Sequence, residues 1–451
     1  MTWGTTVSTS DVYVWVWLPD SAEPVPCGLL RRDADGLNFR YGNLYIQRPD
    51  AISLAPQLPL GREWFAPDDG IGMPSAIKDA APDAWGQRVL WHAELARNAV
   101  DKEVLDPSMF SDEFYLLGSG SDRIGAIDFQ ASSARHVPRT DHASLDDLHR
   151  AVQAIDRGEP LPESLAVVIE HATSVGGARP KATLTDGDGS WLAKFSSSSD
   201  TFDVVGAEAA STYLAARAGI DVPEVQVVRT CGRKAVLTRR FDRPGLGRRR
   251  IVLTAVTVLN HGLGLVPRGS YPEFVDALTS HGADAGGEMF SRAAFSIAIT
   301  NTDDHLRNHS AFWDGQRLAL TPAYDLSPGR RTGETASLAT PYTYDGQREA
   351  NFASLARAAG QFGITASEAA TRIETIRATV ADHFEEAADL AQIARADREA
   401  LRAAQFLNRG TLYGWEPPGA HPSARETPGR CGRPTLSGAP CRRVGRCPHH
   451  P

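Results

Sequence analysis

The sequence predicts an α+β chain of two lobes preceded by a β-rich N-terminal subdomain. Three observations carry this: strand-like alternation near the start, one helical stretch set among strand-like runs in the middle, and helical periodicity from about Thr254 to Asn408. At 451 residues the chain is too long for one ordinary core. The expected units are 1–110, 111–241, 242–410 and a tail, 411–451.

The N-terminal part alternates apolar and polar residues with turn signals between, as in VYVWVWL, GLLRRDADGLNFRYG and NLYIQR, which predicts a small sheet with hairpins from Asp11 to about Phe65. The stretch after Lys78 turns helical, with Pro82 at a first-turn position and Trp85, Val89, Leu90 and Leu95 on one face. Ser144, three residues before Asp147, opens a helix that ends at Gly158, and PESLAVVIEHA reads as another.

In the middle section, WLAKF, EVQVV and AVLTRRF read as strands around the helical VVGAEAASTYLAARAGI, the order of a small-lobe sheet carrying one helix. Farther on, FSRAAFSIAITN, FASLARAAGQFG and the stretch from Thr365 to Asn408 read as helices, the last opened by a Thr365–Glu368 capping box.

Composition excludes several classes. The apolar share of 42% and charged share of 23% are those of a globular protein, and a net charge of -8 argues against a general nucleic-acid or membrane-surface binder. No apolar run reaches the roughly 18–20 residues needed to cross a bilayer, and the N-terminus lacks a basic segment followed by an apolar core. A cytoplasmic protein with no membrane partner is expected. Cys27 and Cys231 stand apart, which argues against a disulfide framework.

The sharpest constellation is NTDDHLRN at 301–308 followed by LTPAYDLSP at 320–328. Transfer of a phosphoryl group to a hydroxyl needs one carboxylate to take the hydroxyl proton, and a second carboxylate and an amide oxygen to hold Mg²⁺ against the phosphates. Asp303, Asp325 and Asn308 suit those roles. SVGGARPKATL at 174–184 places Gly176 and Gly177 where backbone N–H groups can approach phosphates. Lys194 sits mid-strand between apolar neighbours, a position that suits an ammonium reaching an anion. VLTRRFDR at 236–243 reads as a strand running into a hinge.

Taken singly, each segment also has an ordinary structural meaning. Asp303 and Asp304 can cap a turn, Asp325 can begin one, Gly-Gly favours a hairpin, and Lys194 can snorkel. Their order favours chemistry: glycine loop, strand lysine, helix, hinge, helical domain, DxxxxN loop and metal Asp is how a kinase-like ATP site is assembled between two lobes.

With these residues in register, the sequence resembles the HipA family from about Val12 to Leu407: the loop ending at Lys181, the strand lysine, RFDR at 240–243, TDDHLRN at 302–308 and PAYDL at 322–326. The resemblance implies a protein-kinase-like two-lobed fold with an N-terminal β-rich subdomain and a mostly helical C-terminal lobe. It further implies ATP and Mg²⁺ as cofactors, Asp303 as catalytic base, Asn308 and Asp325 as metal ligands, and Lys194 on the ATP phosphates. Val175, Gly176, Gly177, Ala178, Arg179, Pro180 and Lys181 would form the phosphate loop, with Arg239, Arg240, Phe241 and His305 completing the nucleotide site and Glu208 offered as ion-pair partner of Lys194. Ser174 would be an autophosphorylation site, where an added phosphate repels nucleotide and silences the enzyme.

The same resemblance implies a serine/threonine protein kinase acting as the toxin of a toxin–antitoxin module, with an aminoacyl-tRNA synthetase as protein substrate. Its partner would be a small helix-turn-helix antitoxin of the HipB type, contacting the N-terminal subdomain and supplying the affinity for operator DNA. Two departures stand out: Arg179-Pro180 in the loop, and Arg307 where lysine is common. A weakly active relative acting as an antitoxin-binding co-repressor and a small-molecule kinase are the alternative readings. In the tail, Cys431, Cys441, Cys447 and either His449 or His450 offer donors that zinc prefers, without the usual CxxC spacing, and a core-less basic tail is the competing reading.

Overall fold

The computed structural model describes residues 11–68, 70–98, 110–139, 144–159, 179–186, 189–197, 200–260, 269–329, 331 and 333–417. The expectations for Ser174, Val175, Gly176, Gly177 and Ala178, for the helix at 162–172, and for Cys431, Cys441, Cys447 and His450 lie outside these residues.

The N-terminal sheet has the order β3-β2-β1-β4, with β1 Val12–Trp17, β2 Pro24–Asp33, β3 Gly36–Tyr41 and β4 Ile127–Gln130. All pairs are antiparallel. Strand β4 comes from beyond residue 110 and joins the N-terminal sheet at its edge by pairing with β1. Its four residues are all buried, so no alternation marks it as a strand in the sequence. NLYIQR is not a strand either: Asn43–Ile46 is a single helical turn that buries Tyr45.

The second sheet, β5-β6-β8-β7, comprises Lys181–Asp186, Gly189–Phe195, Arg233–Arg239 and Val225–Thr230. Alternation divides its faces. Ala182, Trp191, Ala193, Phe195, Ala235 and Leu237 pack with Trp85 and Val89 of the helix Ala84–Asn98 and with the helix Leu145–Asp156. On the other face the helix Val204–Arg217 packs against β7, β8 and the long helix Ala366–Leu390. That helix is apolar nearly all round and is buried accordingly.

The C-terminal lobe is mostly helical, with a small sheet β11-β10-β9 of Leu318–Leu320, Ser310–Trp313 and Ile251–Thr254. Gly286 opens the helix Gly286–Ala298 against the backbone of Phe362, whose carbonyl oxygen would lie 1.9 Å from a Cβ there. The Ser144 cap and the Thr365–Glu368 capping box both form. The stretch from Thr365 to Asn408 is two helices, Ala366–Leu390 and Arg395–Gln405, broken at Gln392, where φ is +54°. Among the described residues no helix is long and apolar enough to cross a membrane.

Candidate active site

The site is built around Lys194. Because Ala193 and Phe195 turn to the packed outer face, Lys194 projects from β6 toward the lobes' junction, where its Nζ lies 2.5 Å from Glu208 Oε1 and 2.6 Å from Asp325 Oδ1. Burial would lower the ammonium's pKa, but Asp325 and Glu208 outweigh it and the net shift is upward. Reciprocally, the Lys194 charge holds the Asp325 carboxyl far below the usual range against the effect of burial.

Lys181 is the cross-strand partner of Lys194 in β5. Burial and then the neighbouring Lys194 charge lower its pKa, with Asp325, Asp83 and Glu208 opposing. Two lysines side by side concentrate positive charge of the kind a polyanion needs.

Asp325 lies just past β11 with φ +58°, a left-handed conformation that a non-glycine residue adopts only where its surroundings impose it. Ser327 N donates to its carbonyl at 2.9 Å and Asn301 Nδ2 at 3.5 Å, which ties it to the loop that carries Asp303. Tyr324 donates to the carbonyl of Arg307 at 2.8 Å, a second tie between the two loops.

The Asp303 loop holds its shape through backbone bonds: His305 N to Asp303 O and Asn308 N to His305 O, both 2.8 Å. Asp303 is exposed and Asn308 buried. Asn308 donates from Nδ2 to Asp303 O at 3.4 Å, which leaves its amide oxygen for a cation. His305 is half-buried, and its Nδ1 has no protein hydrogen-bond partner.

The hinge is more committed than its side chains suggested. Arg239 N donates to Glu224 O at 2.8 Å and Arg240 N to Ser190 O at 2.9 Å, so neither N–H points at a nucleotide base. The Arg240 guanidinium is buried against Asp122 at 2.8 Å and Asp242 at 2.8 Å, which ties the hinge to the segment carrying Asp122. Phe241 packs its ring against Phe312 and Tyr324, both at 5.8 Å between centroids. Arg179 pairs with Asp200, whose other carboxylate oxygen accepts from Ser197 N at 2.9 Å.

Sequence reasoning missed the contribution of the N-terminal subdomain. Trp85 Nε1 donates to Lys181 O at 2.9 Å, and burial, partly opposed by the nearby Lys181, pushes the Asp83 carboxyl up to about 6. Asp79, likewise pushed up to about 6 by burial, accepts from Thr254 N at 2.8 Å and Thr254 Oγ1 at 2.9 Å. Asp83, beside the Pro82 that reads as a first-turn residue, was the available signal.

The donors fit a magnesium ion. Asp325 is ionised, and the free oxygen of Asn308 adds a second hard ligand. Among the described residues no cluster of three His, Cys, Asp or Glu side chains makes a complete cage, and Mg²⁺ of the phosphate-bridging kind takes one or two protein ligands with phosphates and water completing its shell.

A two-lobed α+β fold with a lysine, an ionised aspartate and a DxxxxN loop at the lobe junction defines the kinase-like class. Residues 173–384 match the model of the HipA-like C-terminal domain. The fold is shared with a chain of the Shewanella oneidensis MR-1 toxin–antitoxin complex of HipA, HipB and its operator DNA, at TM-score 0.55 and 18% identity, covering 84% of this chain and 92% of that one. The Helicobacter pylori proinflammatory kinase CtkA matches at TM-score 0.36 and 11% identity, covering 50% of this chain and 90% of that one. No curated protein matches the sequence.

Proposed function

We propose that this protein is an ATP- and Mg²⁺-dependent serine/threonine protein kinase, the toxin of a HipA/HipB-like module. The observation that carries the reading is Lys194 held between Glu208 and Asp325, with the exposed Asp303 and the free amide oxygen of Asn308 on the adjoining loop.

In this reading Lys194 and Lys181 neutralise the nucleotide's phosphates as Lys194 gives up part of its contact with Asp325. Bound Mg²⁺ would offset charge on the transferred group. Asp325 and Asn308 Oδ1 hold that ion, and Asp303 accepts the proton of the attacking hydroxyl. Ser174 is the proposed autophosphorylation site, an aminoacyl-tRNA synthetase the proposed substrate class, and a helix-turn-helix antitoxin that carries operator-DNA binding the proposed partner.

Incubation with γ-labelled ATP, Mg²⁺ and host lysate tests the reading. Protein-bound label, including Ser174, should fall at least about 100-fold in Asp303→Asn and Asp325→Asn. Label that is absent, or indifferent to both substitutions, would overturn it, and ATP consumed without protein labelling would point to a small-molecule kinase.

A further inference from the structure

Directly after Asp303 comes Asp304, and directly after Asn308 comes His309; neither belongs to the phosphotransfer set. Asp304 is 2% exposed and His309 3%, and His309 Nε2 lies 2.9 Å from Asp304 Oδ1. The other oxygen of Asp304 accepts from Tyr271 Oη and Ser296 Oγ, both at 2.7 Å. The Tyr271 and His309 rings meet edge-on at 5.2 Å between centroids.

Every donor here reaches the buried carboxylate from a different element. Tyr271 opens the helix Tyr271–Ser280, Ser296 lies in Gly286–Ala298, and His309, whose carbonyl accepts from Ala255 N at 2.8 Å, stands at the end of the loop itself. Burial pushes the Asp304 carboxyl up, yet the His309 imidazole and the two hydroxyls outweigh it and hold it below the usual range. Against an ionised carboxylate His309 Nε2 must be the donor.

We infer that the Asp304–His309 hydrogen bond is a clamp that fixes the shape of the Asp303–Asn308 loop, which makes Asp304 and His309 positioning residues for the phosphotransfer proposed above. The two pairs interleave: Asn308 Nδ2 donates to Asp303 O, and one residue farther on the buried His309 bonds the buried Asp304. Drawing Asp304 inward obliges its neighbour Asp303 to remain outside, and holding His309 fixes the backbone from which Asn308 presents its amide. The inference rests on the kinase reading of this site.

The test compares Asp304→Asn, His309→Leu and His309→Gln by kcat, KM for ATP and amide hydrogen exchange over residues 305–309. Displacement of catalytic groups by about an ångström lowers rates on the order of 100-fold. Asp304→Asn and His309→Leu should therefore lose at least about tenfold in kcat with KM for ATP within about twofold, and faster exchange in the loop. His309→Gln, which can still donate to Asp304, should recover most of the rate and the protection. Equal kcat in all variants, or His309→Gln as slow as His309→Leu, would overturn the clamp. A wild-type protein that transfers no phosphate sinks the kinase reading instead, and the exchange data then report separately whether the loop is clamped.

Discussion

The indole Nε1 of Trp85 donates to the carbonyl oxygen of Lys181 at 2.9 Å, across 96 residues of sequence. It pins the N-terminal subdomain to the strand residue beside Lys194, with Trp85 fully buried. Phenylalanine at this position would leave a buried carbonyl without its donor and a smaller ring in a packed cluster. Trp85→Phe should lose about 1–3 kcal/mol in denaturant unfolding and raise KM for ATP. An unchanged midpoint would show that the contact does not hold the sheet.

Lys194 has two carboxylate partners, and they are not equivalent. Lys194→Met removes the ammonium between Glu208 and Asp325, whereas Glu208→Gln leaves the Lys194–Asp325 pair intact. The first should lower kcat/KM by about 10²–10³ and the second by about tenfold. Steady-state phosphorylation of one protein substrate ranks them, and the reverse order would contradict the arrangement.

Asn308 offers only its amide oxygen, since Nδ2 is turned to Asp303 O. Asn308→Ala should raise the Mg²⁺ concentration for half-maximal activity by about tenfold while the protein remains folded. A Mg²⁺ titration identical to wild type would remove Asn308 from the metal site.

Asp79 joins the N-terminal subdomain to β9, and its folded pKa is about 6 against an ordinary 3.8. A carboxyl raised on folding stabilises the fold below the unfolded value and loses that contribution as pH rises through the folded one, here between roughly pH 4 and 6. Asparagine can accept from Thr254 N and donate to Thr254 Oγ1, replacing both contacts without a charge. Asp79→Asn should therefore match or exceed wild-type stability at pH 7.5, by at most roughly 3 kcal/mol, with the difference shrinking toward pH 4. Urea unfolding at three pH values checks the sign.

The sequence alone placed the helix caps at Ser144 and Thr365, three strands of the small-lobe sheet, its single helix, and the phosphotransfer candidates Lys194, Asp303, Asn308 and Asp325. These were legible because caps and alternation are local, and because the phosphotransfer residue types recur in a fixed chain order. What bears on Lys194 from elsewhere was not legible: alternation indicated a lysine out of place, but only packing showed it between Glu208 and Asp325. Strand β4 escaped because a four-residue segment buried throughout has no alternating pattern, and Gln392 broke one helical stretch in two without a glycine or proline to mark it. The partners of the Arg240 guanidinium, Asp122 and Asp242, were not legible either, because charge in sequence does not say which charge it will meet. Asp304 read only as a residue that can cap a turn, and tertiary structure alone brought His309, Tyr271 and Ser296 to its carboxylate. Local pattern determined the elements and the chemistry on offer, while long-range closure decided which groups share a site, since burial creates partners that no spacing encodes.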